Sequence, residues 1–243
     1  DRVAFALCPT VHARDDRSLI ESLETMPELF AQARRMAGAR PLDVGPCSLL
    51  RRLVPKDGRP ATRGPNPGQD DYDVDARQYE PIAAAWLATA IAVAAVSGAT
   101  SMCTFEAEGA RGLVRAHRDA RKRARTVRRS PSHAVLAGLA ARSNDRITLL
   151  GLNARHGAAF LLEGESTELW LVDLSGRARE LPAGLKNVGR VRQLTGTDAP
   201  RWISRSARSA QTLRPYGIVR MELRANGTRR AASLARTWCG GAA

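Results

Sequence analysis

"EPIAAAWLATAIAVAAVSGATSMCTFEAEG", residues 80–109, decides the fold. Between Glu80 and Glu106 it carries no charge, and Ser97-Gly98 divides it into an alanine-rich half and a shorter half ending in "SMCTF". The first half predicts a helix. Pro81 suits its first turn, where a missing backbone N–H costs nothing, and Gly98 suits its end. The second half predicts a buried strand that emerges at Glu106. A membrane span from Pro81 to Phe105 is the rival reading, but alanine gains little from lipid and Ser97-Gly98 interrupts the run. The expectation is a buried helix followed by a buried strand.

Upstream, "PLDVGPCSLL" (41–50) reads as another short apolar strand. "DDRSLIESLETMPELFAQARRMAG" (15–38) spaces Leu19, Leu23, Met26 and Phe30 helically, with Asp16 as N-cap and Gly38 as stop. "DRVAFALCPTVHA" (1–13) reads as a strand already under way, covered on both faces. The order is therefore β, α, β, a long Pro/Gly/Asp-rich loop from about Pro55 to Gln78, α, β. Loops of that length are functional or disordered. The opening on a strand leads us to expect a chain that begins inside a domain.

Downstream, "RAHRDARKRARTVRRS" (115–130) places Arg118, Arg121, Arg125 and Arg128 where one stripe of a helix would carry them. Such a stripe could track phosphates, but no aromatic residue interleaves it for base stacking. We expect a solvated, partly disordered basic insertion, with nucleic acid a secondary partner at most. "SHAVLAGLAA" (132–141) restores a short helix. From Asn144 the texture becomes short strands punctuated by Gly, Ser, Asn and Pro, which predicts an all-β domain, a small sandwich. "RRAASLARTWCGGAA" (229–243) reads as a frayed tail.

Composition sets broad limits. With 243 residues and 44% hydrophobic content the chain can bury a sizeable core. Its formal charge of +14 is nearly all arginine, since only Lys56, Lys122 and Lys186 are lysines. A basic surface attracts acidic partners, although arginine dispersed among Ala and Gly also follows from coding bias. Cys8, Cys47, Cys103 and Cys239 lack close CxxC pairing, so neither a zinc site nor a disulfide scaffold is expected. A reducing cytoplasm fits this sparse cysteine and the lack of a leader-like start.

In open α/β sheets and barrels, ligands sit at the carboxyl ends of the strands. His12, Ser48, Arg52 and Glu106 fall at those ends. Glu106 could serve as general base or nucleophile, and the bland alternative is a salt bridge to a nearby arginine. Glu108 points to the same side, nearer the loop. His12 could shuttle a proton or donate to a substrate oxygen, or be satisfied by backbone carbonyls. Arg52 could hold a carboxylate or an oxyanion. Asp15 and Asp16 read first as helix caps. Cys8, Cys47 and Cys103 end successive strands and could meet around a metal, but buried free cysteine is the commoner outcome. No metal and no cofactor is expected.

"CPTVHARDDRSLIESLE", "VGPCSLLRRLVP", "DARQYEPIAAAWLATAI" and "FEAEGARGL" resemble successive blocks of the D-apionate lactonase family. His12, Asp15, Asp16, Arg52, Gln78, Trp86, Glu106, Gly109, Arg111 and Gly112 fall on its pattern. The resemblance implies a class of α/β plus all-β: residues 1–142 as the C-terminal part of a (β/α)8 barrel, its last three strands, with a basic insertion at 115–130. Residues 143–228 then form a β-sandwich-like domain and 229–243 a disordered tail. It further implies a hydrolase that opens a small-molecule sugar lactone. Glu106, His12 and Arg52 would be catalytic, and Asp16, Glu108 and Arg111 substrate-binding. A glycoside hydrolase-like barrel enzyme and a non-catalytic polyanion-binding remnant are the alternatives. No membrane partner is expected.

Overall fold

The computed structural model describes residues 1–10, 12–50, 74–119, 124–182, 189–196, 200–205, 212–223 and 228–240. It opens with β1 (Val3–Leu7), α1 (Asp16–Ala37), β2 (Leu42–Cys47), a short 3-10 helix (Ala76–Tyr79), α2 (Pro81–Val96) and β3 (Ser101–Thr104). The three strands form one parallel sheet with β2 in the middle, Val3 opposite Leu42 and Asp43 opposite Ser101. Strands joined by helical crossovers lie parallel, as the β-α-β alternation in sequence demanded.

Side chains alternate across this sheet with a period of two. Leu7, Leu42, Val44 and Cys47 are buried with the helices, while Ala4, Ala6, Ser101 and Cys103 are exposed. The expectation of strands covered on both faces is thus corrected: among the described residues, one face of the parallel sheet is open.

The cap of α1 also moves by one residue. Asp15, not Asp16, is the N-cap, and its carboxylate accepts from the Ser18 N–H at 2.8 Å and the Ser18 hydroxyl at 2.7 Å. Those bonds satisfy an N–H that the first turn leaves without a helical partner, and they hold the Asp15 carboxyl below its usual range. α2 starts on Pro81 as predicted and is buried on every side, which is why its sequence is apolar all round. Its cover is protein: no helix among the described residues is long and apolar enough to cross a membrane.

After β3 come β4 (Glu106–Glu108), β5 (Gly112–Asp119), β6 (Ala124–Arg129) and α3 (Pro131–Ala140). The basic segment is a β-hairpin, not a helix: β5 pairs with β6 in antiparallel register, Arg115 opposite Arg128 and Arg118 opposite Arg125. Arginines three apart line up along a helix but not along a strand, so the expected helical stripe is replaced by a strand register. Arg121 lies outside the described residues.

The remaining strands are β7 (Arg146–Asn153), β8 (Gly157–Glu163), β9 (Thr167–Asp173), β10 (Arg179–Glu180), β11 (Gly189–Thr195), β12 (Arg201–Arg205), β13 (Thr212–Leu213) and β14 (Ile218–Leu223). Six make one antiparallel sheet in the order β12-β11-β14-β9-β8-β7, and β10 pairs with β13 as a separate ribbon. β8 and β9 are buried along nearly their whole length. Even-numbered Phe160, Leu162, Trp170 and Val172 join the core of α1 and α2, with Phe160 and Trp170 stacked at 5.5 Å. Odd-numbered Ala159, Leu161, Leu169 and Leu171 join a second core.

That second core is closed by α4 (Thr228–Trp238), through Ala231, Ala235 and Trp238. The frayed tail expected from residue 229 is therefore corrected, because Trp238 is fully buried and its indole donates to the Val172 carbonyl at 3.0 Å. Gly157 makes the room: a Cβ there would lie 2.5 Å from both the Trp238 nitrogen and that carbonyl. In place of the second sheet of a sandwich, the described residues put a helix and a two-stranded ribbon beside the six-stranded sheet.

Candidate functional site

The parallel sheet delivers the ends of its three strands to one side of the molecule. Thr10, fully buried just after β1, donates its hydroxyl to the Leu49 carbonyl beyond β2, and the Cys8 thiol donates to the same oxygen at 3.3 Å. The Phe105 N–H donates to the Cys47 carbonyl at 2.8 Å. The three strand ends are therefore tied to one another by hydrogen bonds through the β2 exit.

Phe105 adopts φ of 52° while remaining buried. An L residue in the left-handed region is strained by its Cβ, and such residues persist where the surroundings over-determine them. The consequence is directional. β3 stops at Thr104, and Glu106 opens β4 in a different sheet. The single third strand expected over residues 100–109 is thus two strands with a turn at Phe105.

Glu106 sits at that exit, about one-third exposed, with Arg111 Nε 3.0 Å from its Oε1. The Glu106 N–H donates to the Arg111 carbonyl at 3.4 Å, so one short turn brings both ends of the pair together. Glycine makes this turn. Gly109 has φ of 109°, and a Cβ on Gly112 would lie 2.6 Å from the Glu108 backbone. From below, the Tyr79 hydroxyl donates to the Gly109 carbonyl at 2.9 Å and the Gln78 amide to the Gly112 carbonyl at 3.5 Å. Burial pushes the Tyr79 hydroxyl upward in pKa, against the pull of Arg115 and Arg128, whose guanidinium lies 5.3 Å from the ring centre.

The other expected residues are placed less centrally. His12 is exposed on the segment between β1 and α1, at the same end of the sheet as Glu106. Glu108 is exposed at the end of β4. Asp16 is paired at 3.1 Å with Arg77, whose guanidinium also holds Asp75 at 2.6 Å. Arg52 lies outside the described residues. The structure therefore unites Glu106 with Arg111, and gives Asp16 a structural partner.

Sequence reading passed over Thr10, Arg77 and Tyr79. Tyr79 had a signal, its place two residues before a helix N-terminus, but nothing in the sequence shows that it reaches the Gly109 loop. Trp86, on the family pattern, is a core residue whose indole donates to the Ser22 hydroxyl at 3.1 Å. Cys8, Cys47 and Cys103 do converge. Burial pushes the Cys47 thiol up to about 12, with Cys8 and Cys103 adding to the shift, so Cys47 stays a thiol at neutral pH. Among the described residues no group of three His, Cys, Asp or Glu side chains could hold a metal ion.

No curated protein matches the chain. Among solved structures it is similar to a conserved exported protein of Bacteroides fragilis, with a TM-score of 0.54 and 8% identity over 90% of this chain and 46% of that one. It is also similar to AbfB, a family 51 α-L-arabinofuranosidase of Bifidobacterium longum, with a TM-score of 0.52 and 12% identity over 93% of this chain and 54% of that one. The chain thus spans about half the length of either structure, and at these identities the likeness concerns fold alone. Residues 1–144 match the model of the D-apionate lactonase TIM barrel domain. That match takes in more than half of the sequence and every element that positions Glu106, and the chain belongs to the D-apionate lactonase family.

Proposed function

We propose that the full protein hydrolyses a sugar-derived lactone, with Glu106 as the general base or nucleophile. The observation that carries this reading is the position of Glu106: just beyond a parallel strand, redirected by a strained buried Phe105 and oriented by Arg111. As general base, the carboxylate takes a proton from water as the water oxygen bonds to the lactone carbonyl carbon. The tetrahedral oxyanion that forms needs a nearby cation or N–H donor, the role we give to Arg52 or His12. On collapse the ring C–O bond breaks, the ring oxygen recovers the proton, and the product is a hydroxy acid. Glu108 and Arg111 border the same loop and would contact the sugar, and Asp16 would reach it only by releasing Arg77.

The test is Glu106→Gln in the full-length protein. We expect turnover of a sugar lactone to fall by about a hundredfold or more, with the circular dichroism spectrum unchanged. Turnover equal to wild type removes Glu106 from the mechanism.

The fold likeness to an arabinofuranosidase supports a second reading, a glycoside hydrolase. That chemistry needs a second carboxylate roughly 5–10 Å from the first. Release of sugar from aryl glycosides without lactone opening would select it. The concentration of arginine in residues 115–129 supports the third reading, polyanion binding, because clustered cations attract phosphates and sulfates. Heparin binding that weakens steeply with salt is its test.

A further inference from the structure

A cleft of about 860 Å³ opens between the first turns of α1 and two loops of the six-stranded sheet, at the β7–β8 and β9–β10 connections. Its wall carries four arginines, Arg17, Arg155, Arg177 and Arg179, against two carboxylates, Asp16 and Glu21. The carboxylates are already matched: Glu21 by Arg17 at 2.7 Å and Asp16 by Arg77 at 3.1 Å. Arg179 is committed as well, donating to the carbonyls of His156 and Trp238 and lying 3.9 Å from the Trp238 ring centre. Arg155 and Arg177 remain, both exposed, and neither forms an ion pair among the described residues.

The floor between them is held rigid. Asp173, with no exposed surface, accepts from the Ser175 hydroxyl at 2.7 Å and from the Tyr216 N–H at 2.8 Å. Tyr216 is thereby kept at φ of 57°, its ring on the cleft wall. Gly176 is required beside it, since a Cβ there would stand 2.8 Å from the Tyr216 hydroxyl. Two unmatched guanidinium groups, a phenol and the His156 imidazole thus line one preformed concavity of monosaccharide size or larger.

We propose that this cleft binds a small molecule bearing an oxyanion, a carboxylate or a phosphate, through Arg155 and Arg177 with Tyr216 as a further donor. Guanidinium forks match either group with paired N–H bonds, and the concavity weakens the competition from water. The site is separate from Glu106 and Arg111, which are not on its wall, and shares with the lactone reading only Asp16, whose carboxylate Arg77 already holds.

The test is calorimetric titration of the full protein at low salt with inorganic phosphate, glucose 6-phosphate, D-glucuronate and, as neutral control, D-glucose. We expect saturable binding of at least one anion, none of glucose, and a tenfold or greater loss in the Arg155→Ala/Arg177→Ala variant, whose exposed positions leave the fold intact. Binding of the two phosphates but not glucuronate assigns a phosphoryl ligand, and the reverse assigns a sugar acid. Tyr216→Phe should weaken the same ligand a few-fold, and Glu106→Gln should leave it unchanged. No saturable binding of any anion, equal affinity in the double variant, or loss in Glu106→Gln would overturn the assignment.

Discussion

The two sheets that share a core with α1 and α2 are built on opposite plans. The six-stranded sheet is covered on both faces through β8 and β9, and its residues are large: Phe160, Leu162 and Trp170 on one side, Leu161, Leu169 and Met221 on the other. Among the described residues the parallel sheet is covered on one face, and its other face carries Ala4, Ala6, Ser101 and Cys103. Apolar burial stabilises a chain by about 25 cal/mol per Å², so the first sheet contributes most to stability. Among the described residues the second buries smaller side chains, and the end of its last strand leads to Glu106. Packing of large side chains and the strand ends that lead to Glu106 thus fall on different sheets.

The sharpest way to break this division is to truncate one side chain in each sheet. Trp170→Ala removes the ring that stacks on Phe160 and meets Trp202 edge-on at 5.2 Å. It should cost about 3–5 kcal/mol in a denaturant titration. Cys103→Ser on the open face should stay within about 0.5 kcal/mol of wild type. Comparable losses from both would show that the open face is packed in solution.

Glycines sharpen the contrast at an intermediate size. Gly157→Ala drives a methyl into the Trp238 indole and the Val172 carbonyl, and should cost about 1–3 kcal/mol while dislodging α4, read by unfolding and tryptophan fluorescence. Gly112→Ala presses on the Glu108 backbone instead. It should disturb the turn that holds Glu106 to Arg111, so that lactone turnover falls by a larger factor than Tm would suggest. A Gly112 variant with full turnover would show that the turn is not needed to position Glu106.

The legible parts of the sequence were those with one physical reading. A charge-free run ended by Ser-Gly cannot be a surface helix, and α2 and β3 followed from it. The salt bridge to a nearby arginine, weighed as the bland reading of Glu106, is present with Arg111. That pair does not exclude chemistry, since an orienting cation is also what a positioned base needs. Three features left no usable trace. A left-handed Phe105 has no signature in composition, because nothing but its neighbours forces it. The amphipathic face of α4 is written mostly in alanine, too weak a signal beside Arg and Ser. β8 and β9 look the same in sequence whether a helix or a second sheet covers them, so the sandwich expectation rested on texture alone. The arginine spacing in 115–130 fitted a helix as well as a hairpin, and only the register resolved it.

The smallest effect separates the regions by sign. On the parallel sheet, Asp43 accepts from Arg2 and Ser101, which hold its carboxyl down at about 2 against an ordinary 3.8. The folded state therefore binds this proton less readily than the unfolded chain. Its contribution is complete above 3.8 and lost as pH falls through about 2. At the end of β9 in the six-stranded sheet, burial raises Asp173 despite bonds from Ser175 and Tyr216. There the folded state holds its proton longer, so the contribution is complete below 3.8 and lost as pH rises through the raised value. Asp43→Asn should flatten the fall of Tm between pH 4 and 2. Asp173→Asn, whatever it does to Tm itself, should make the curve climb more steeply with pH just above 3.8. The two substitutions must tilt the profile in different windows and for opposite reasons. A shared response would mean that both carboxylates sense the net charge of +14 rather than their own partners, and the local account of each would fail.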